Sequence, residues 1–204
     1  MIDIEKFFEI RERFGHFASW AVWADEGVKP KDNIDDLSVL NPGENPNLLQ
    51  IVHANAILLG LNISREIERP FGNFHDPRPM ATDFKIRYAL KGTDYWGAYM
   101  TDVVKDFEEK VSGNVMSFLR HNKDFERESI QKLREEIKAL GFPHPILVAF
   151  GKDTEKIVKR NLSQEFRIIG IPHYANFISK ENYRERVSSR LPELPSDRNA
   201  KLGP

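Results

Sequence analysis

Four short apolar segments, separated by stretches of helical periodicity, constrain the fold of this chain more than any other feature. They cover residues 54–61, 95–104, 145–150 and 166–171, and the first reads ANAILLGL. A short, continuous apolar run is typical of a strand that is buried on both faces of a parallel sheet. Because parallel strands need long crossovers, usually helices, the pattern predicts an α/β protein, a three-layer α/β/α sandwich with a mainly parallel four-stranded sheet.

The segments between these runs supply the helices. We predict a long aromatic helix over residues 4–24, and further helices near 48–53, 81–90, 124–140, 152–161 and 179–190. Asp124 is a candidate cap for the start of the 124–140 helix. The expected organisation is one domain over 1–190, with the aromatic helix and loop of 1–46 packed on it and a loose tail over 191–204.

Composition excludes several classes of protein. None of the 204 residues is cysteine, so the chain has no disulfide, thiolate metal site or thiol nucleophile. No apolar stretch approaches the roughly 20 residues of a membrane helix, and the acidic N-terminus is unlike a signal peptide. The sequence therefore predicts a cytoplasmic protein with no membrane partner. The net charge of −1 means that a nucleic acid would have to be held by a local basic surface.

Polar side chains follow the predicted strands at their carboxyl ends, where open α/β sheets bind ligands. The sequence GLNIS (60–64) ends the first strand, Asp102 lies near the end of the second, and PHYAN (172–176) follows the fourth. One edge of the sheet should therefore gather an amide, a carboxylate and an imidazole. No histidine or acidic residues have metal-ligand spacing, and no loop resembles a phosphate-binding loop with its lysine, so no metal or cofactor is expected.

Five segments, in this order, resemble the uracil-DNA glycosylase superfamily. They are GLNIS (60–64), FGNFHD (71–76), GAYMTDVVK (97–105), ILVAFGK (146–152) and IIGIPHYAN (168–176), so the resemblance covers about 55–190. Members of that superfamily flip a nucleotide out of DNA and hydrolyse the bond between its base and sugar, because the target atom is not reachable in the stack. The resemblance implies that DNA with a damaged or mismatched base, uracil or a related one, is the substrate.

The resemblance also implies roles for individual residues. Asn62 occupies the position that holds the attacking water, and His173 occupies the position that stabilises the departing base. Phe74 would stack on the base and Asp102 would contact its edge. The other implied substrate-binding residues are Gly60, Leu61 and Ser64, and the implied DNA contacts are Tyr174, Asn176 and Lys180, with Phe177 as a candidate wedge.

The sequence departs from the superfamily pattern at four positions. Ile63 replaces a common proline, and Tyr174 with Ala175 replaces a typical Pro-Ser pair. Asp102 stands where uracil-specific members often place a base-reading asparagine. Uracil donates from N3–H and accepts at O4, whereas an ionised aspartate only accepts. This difference argues against uracil, unless a backbone N–H supplies the missing donor.

The candidate residues also have structural interpretations. Asn62 can cap a helix or hold a turn, Asp102 can cap the next helix, and His173 can be a hydrogen-bonded core histidine. Two other functions stay open. One is a non-catalytic protein of the same fold that binds a nucleobase, a nucleotide or damaged DNA. The other is a protein-interaction module that uses the N-terminal helix and the tail.

Overall fold

The structure, a computed structural model, describes residues 2–194. Its helices and strands, in chain order, are α1 (Ile4–Phe14), β1 (Ser19–Trp20), α2 (Leu48–Ile51), β2 (His53–Asn62), α3 (Phe84–Leu90), β3 (Ala98–Val104), α4 (Ser112–His121), α5 (Lys123–Ala139), β4 (Ile146–Phe150), α6 (Lys152–Leu162), β5 (Ile168–Ile171) and α7 (Lys180–Ser188). A short 3-10 helix (Leu37–Leu40) lies between β1 and α2.

The strands form one sheet in the order β1-β3-β2-β4-β5. The four strands β3, β2, β4 and β5 are parallel, as predicted, and β1 adds a fifth, antiparallel strand at the edge. Gly60 pairs with Asp102, and Phe150 pairs with Ile171. The register therefore brings the carboxyl ends of all four parallel strands to the same edge of the sheet.

Helices cover both faces of the sheet, which confirms the predicted α/β/α layering. On one face, Ile86 of α3 and Tyr183 of α7 join the core over Val148. On the other, Phe7 of α1, Leu133 of α5 and Ile157 of α6 pack over the second face. Every residue of β3 and β4 is buried, because each strand is covered from above and below.

A buried ion pair lies behind β3. The ammonium of Lys105 lies 2.6 Å from Glu136 of α5, and the two side chains are 2% and 1% exposed. The hydroxyl of Tyr99 donates to the other oxygen of the same carboxylate at 2.6 Å. Since both charges are removed from water, each depends on the other for its stabilisation.

The predicted helix over 4–24 is wrong beyond Phe14. Ser19–Trp20 instead pairs with β3. The centroid of the Trp20 ring lies 5.0 Å from that of Tyr99 and 6.2 Å from that of Phe7. Aromatic residues of the helix and of the edge strand are buried in the same core. The apolar pattern therefore runs on without a break, although the backbone changes conformation.

Three smaller predictions are also corrected. Helix α4 was not predicted, because Val115 and Leu119 are its only buried residues and its pattern is weak. Asp124 lies inside the first turn of α5 and Asn122 precedes the helix, so Asp124 is not the cap. The tail is not loose at its start, since Tyr95 donates a hydrogen bond to the carbonyl of Pro192 at 2.9 Å. The rest of the predicted tail, 195–204, lies outside the described residues.

Candidate active site

A cleft of about 910 Å³ opens at the carboxyl ends of the four parallel strands. Eight of the ten predicted site residues line it: Gly60, Leu61, Asn62, Ser64, Asp102, His173, Tyr174 and Asn176. Phe74 and Lys180 do not. The structure thus brings the amide of Asn62 and the imidazole of His173 into a single cleft, although they are far apart in the sequence.

The side-chain amide of Asn62 is held in one orientation. Its Nδ2 donates to the carbonyl oxygens of Ile63, Phe107 and Glu109, at 2.9, 3.0 and 2.8 Å. These bonds tie the end of β2 to the loop after β3, which confirms that Asn62 holds the turn. The Oδ1 atom accepts no hydrogen bond from the described residues. Asn62 can therefore orient a water molecule as an acceptor, but it cannot take its proton.

The imidazole of His173 is also fixed, in the tautomer that donates into the cleft. Its Nδ1 accepts from the backbone N–H of Ala175 at 3.1 Å, so the neutral ring carries its hydrogen on Nε2. The ring stacks on Tyr174 with the centroids 4.4 Å apart. Burial lowers the pKa of His173, which favours the neutral ring. The Nε2–H group has no partner among the described residues and is available to a ligand.

Gly151 makes room for the His173 ring. The residue has φ of 84°, a conformation that favours glycine, and it joins β4 to α6. A methyl group at this position would lie 3.2 Å from the Cβ of His173. A residue with a side chain would thus strain the turn and press on the imidazole.

Asp102 lies at the floor of the cleft. It is inside β3 and does not begin a helix, so its interpretation as a helix cap is wrong. Only 3% of the residue is exposed, and burial raises its pKa from 3.8 to about 6. The Oδ2 atom accepts from Nδ2 of Asn73 at 2.7 Å. The Oδ1 atom lies where a side chain of Gly60 would be, so only glycine fits there.

The two predicted site residues outside the cleft are engaged elsewhere. Phe74 is 3% exposed, and its ring packs against Phe150 and Tyr174 with centroids 6.2 and 6.5 Å apart. The Lys180 ammonium lies 3.1 Å from Glu26 and 4.4 Å from the ring centre of Tyr88. Stacking by Phe74 would require its ring to move into the cleft, and this role stays a prediction, as does the DNA contact of Lys180.

The loop behind the cleft is held by the N-terminal segment. Phe71 and Phe74 have φ of 65° and 63°, which is unfavourable for residues with side chains. Ser19 donates to the carbonyl of Phe71 at 2.8 Å, and the indole of Trp23 donates to that of Phe74 at 3.1 Å. Surrounding contacts of this kind are what keeps strained backbone in place. The loop positions Asn73, and through it Asp102.

Sequence reasoning missed Asn73 and Asp83. Asp83 lies in the cleft, and burial raises its pKa to about 6. Asp83 stands directly before α3, as a capping residue would, but its Oδ2 accepts from the N–H of Asp76 at 2.9 Å. Asn73 lies in the FGNFHD segment (71–76), but neither residue could be singled out, because the partners of both are brought near by the fold.

Charged side chains of both signs line the cleft: three are basic (Arg78, Lys110 and Lys152) and five are acidic (Asp76, Asp83, Asp102, Glu109 and Asp153). Lys110 and Lys152 line it, are exposed, and form no ion pair with a described residue. Phe177, in the loop between β5 and α7, is fully exposed beside Asn176. Two lysines without an ion pair and one exposed aromatic ring are therefore available to a ligand, although the carboxyl groups that line the cleft outnumber its cations.

Within residues 2–194, no group of three or more histidine, aspartate and glutamate side chains is placed to hold a metal ion. The same residues contain no helix that is long and apolar enough to cross a membrane. Comparisons with protein families, with curated proteins and with solved structures found no match to this chain. The chemistry of the cleft itself is therefore the basis for a functional conclusion.

Proposed function

We propose that this protein is a monofunctional DNA glycosylase-like hydrolase, which cleaves the N-glycosidic bond of a flipped, damaged or mismatched base. One observation carries the proposal. A single cleft presents an oriented acceptor, Oδ1 of Asn62, and an oriented donor, Nε2–H of His173. Hydrolysis of this bond needs both, an acceptor for the attacking water and a donor for the departing base.

The two groups divide the reaction between them. The bond from C1′ to the base nitrogen breaks, and its electron pair stays on the base, where the Nε2–H of His173 stabilises the charge. The water oriented by Asn62 then forms the new C1′–O bond. An amide cannot accept a proton, so Asn62 does not deprotonate the water in advance. The base therefore departs before the water attacks. The departed base or solvent takes the proton.

Two unpaired lysines at the cleft and one exposed aromatic ring support DNA as the substrate. Lys110 and Lys152 can contact phosphates, and these contacts position a duplex without reading its sequence. The exposed ring of Phe177 can enter the stack at the place that a flipped nucleotide leaves. An apolar side chain in full contact with water gains from such insertion, since stacking on a base is worth about 1–3 kcal/mol.

The test is a single-turnover assay with enzyme in excess over duplexes that contain uracil, hypoxanthine or a mismatched base. Abasic sites are detected by strand cleavage in alkali. The variants are Asn62→Ala and His173→Ala, with Asn47→Ala and His144→Ala as matched controls outside the cleft. Loss of one charge-stabilising donor lowers kcat by roughly 100-fold or more, so the His173 variant should fall by that factor.

Wild-type protein that releases no base from any duplex would refute the proposed activity. Binding of these duplexes without release, equal in wild type and in Asn62→Ala, would identify a non-catalytic binding protein of the same fold. Release that is unaffected by both cleft substitutions would show that the reaction takes place elsewhere.

A further inference from the structure

Two buried carboxylates in the cleft have no cationic partner among the described residues. Asp83 is 7% exposed and Asp102 is 3% exposed, and neither forms an ion pair. Oδ2 of Asp83 accepts from the N–H of Asp76 at 2.9 Å, and Oδ2 of Asp102 accepts from Asn73 at 2.7 Å. The two Oδ1 atoms accept nothing from the described residues and are not fully buried, so a ligand in the cleft can reach both.

The other acidic side chains of the cleft are satisfied by the protein itself. Asp76 is paired with Arg78 at 2.6 Å, and Asp153 lies 3.7 Å from Lys156. Glu109 accepts hydrogen bonds from residues at the start of α4, at 2.9 and 3.0 Å. The unbalanced negative charge of the cleft therefore belongs to its two buried aspartates.

The cations near the cleft do not offset these two charges. Lys110 and Lys152 are exposed, so water and salt screen their ammonium groups. Lys105 lies near Asp102, but it is paired with Glu136 behind β3. Positive charge at the cleft is thus either in contact with water or already paired.

Burial makes the missing cation costly. It raises the pKa of both Asp83 and Asp102 from 3.8 to about 6, as expected for carboxyl groups that lose their hydration without gaining a charged partner. A ligand that brings a positive charge offsets this cost, because charges interact more strongly away from water. Tyr174 lines the same cleft, and an aromatic ring also attracts a cation.

We propose that the cleft selects bases that carry a positive charge, as bases do after alkylation of a ring nitrogen, over neutral bases of the same size. This inference rests on the proposed function and specifies its substrate class. A charged base also suits a site without a general base. When the bond from C1′ to the base breaks, its electron pair cancels the positive charge and the base departs neutral. Water then adds to C1′ and gives its proton to solvent.

The substitution Asp83→Asn tests the inference at a residue outside the five segments that resemble the superfamily. The amide oxygen can still accept from the N–H of Asp76, so the substitution removes the charge and keeps the shape. Asp153→Asn is the matched control. It removes the same charge from a residue that also lines the cleft, but one that has a lysine nearby.

The substrates are oligothymidylate strands with one central methylated base, so that base-pair opening plays no part. Two pairs place the methyl group at different positions of the same base: cationic 1-methyladenine with neutral N6-methyladenine, and cationic 3-methylcytosine with neutral 5-methylcytosine. Release is measured by mass spectrometry at pH 8, where both carboxyl groups are ionised. Each rate is divided by the rate without protein. Binding of the four nucleosides is measured separately by calorimetry.

The expected result is a preference of at least about tenfold for the cationic member of each pair, which falls by about threefold or more in Asp83→Asn and is kept in Asp153→Asn. Equal or faster release of the neutral bases by wild type, or an unchanged preference in Asp83→Asn, would overturn the inference and leave the proposed function intact. Tighter binding of the cationic nucleosides without any release would support the inference and refute the proposed function. Neither release nor binding of any base would overturn both.

Discussion

Replacement of Asp102 by asparagine should stabilise the folded protein at alkaline pH, although it alters a site residue. Burial raises the pKa of this carboxyl from 3.8 to about 6, so the folded protein holds the proton more tightly than the unfolded chain does. Its contribution to stability is therefore fully present below pH 4 and is lost as the pH rises through 6. A shift of this size corresponds to about 3 kcal/mol.

The variant avoids this loss because an amide has no charge to bury. Nδ2 of Asn73 now donates to Oδ2 of Asp102 and can donate in the same way to the amide oxygen of the variant, so the hydrogen bond to the 71–76 loop is kept. At pH 8 we expect Asp102→Asn to have a higher free energy of unfolding than wild type, by about 1–3 kcal/mol, and a Tm that is higher by roughly 3–10 °C.

Urea unfolding of both proteins at pH 5 and pH 8 measures the effect. Because the loss begins near pH 4, about half of it is already present at pH 5, so the difference in the free energy of unfolding should be roughly half as large at pH 5 as at pH 8. Asp83 also has a raised pKa, but both proteins contain it, so it cancels in the comparison. A variant that is less stable than wild type at pH 8, or a difference that does not change with pH, would show that burial does not penalise the carboxylate.

Three further predictions concern other positions. Gly151→Ala should lower the free energy of unfolding by about 1 kcal/mol, because φ of residue 151 is 84°. It should also reduce base release, because the methyl group displaces His173. Thermal melts measure the first effect and the single-turnover assay the second, and an unchanged rate of base release would contradict the second. Glu136→Gln should destabilise the fold by about 3–5 kcal/mol, because it leaves the buried Lys105 charge unpaired, and a Tm equal to that of wild type would refute this. Phe177→Ala should leave the Tm unchanged, because the ring is fully exposed, and should weaken binding to a duplex with an abasic site; equal affinity in a fluorescence anisotropy titration would exclude the wedge role.

The parallel strands and the place of the cleft could be predicted from the sequence because both depend on local patterns. A strand buried on both faces is apolar throughout, and β4 (Ile146–Phe150) is an example. Once the strands alternate with helices, their carboxyl ends must meet at one edge, which is how Asn62 and His173 come to share a cleft.

What could not be predicted depends on contacts between distant residues. The edge strand Ser19–Trp20 has two residues, too few to show an alternating pattern. The bond from Asn73 to Asp102, which decides which carboxylate oxygen is free, joins a loop to a strand. The burial of Phe74 under Phe150 and Tyr174 follows from packing, and a loop aromatic in the sequence gives no sign of it.

The N-terminal segment supports the loop behind the cleft and is not a detachable module. A chain that begins after residue 24 would lose the Ser19 and Trp23 donors, and the strained turn at Phe71 and Phe74 would be free to relax. It would also bare the outer side of β3, and an uncovered sheet edge invites aggregation. A truncated protein could therefore behave as if it had lost an interaction partner, because its own fold is disturbed. Point substitutions of the exposed Ile4 and Phe8 can test whether α1 also binds another protein, because they leave the contacts of Ser19 and Trp23 with the loop intact.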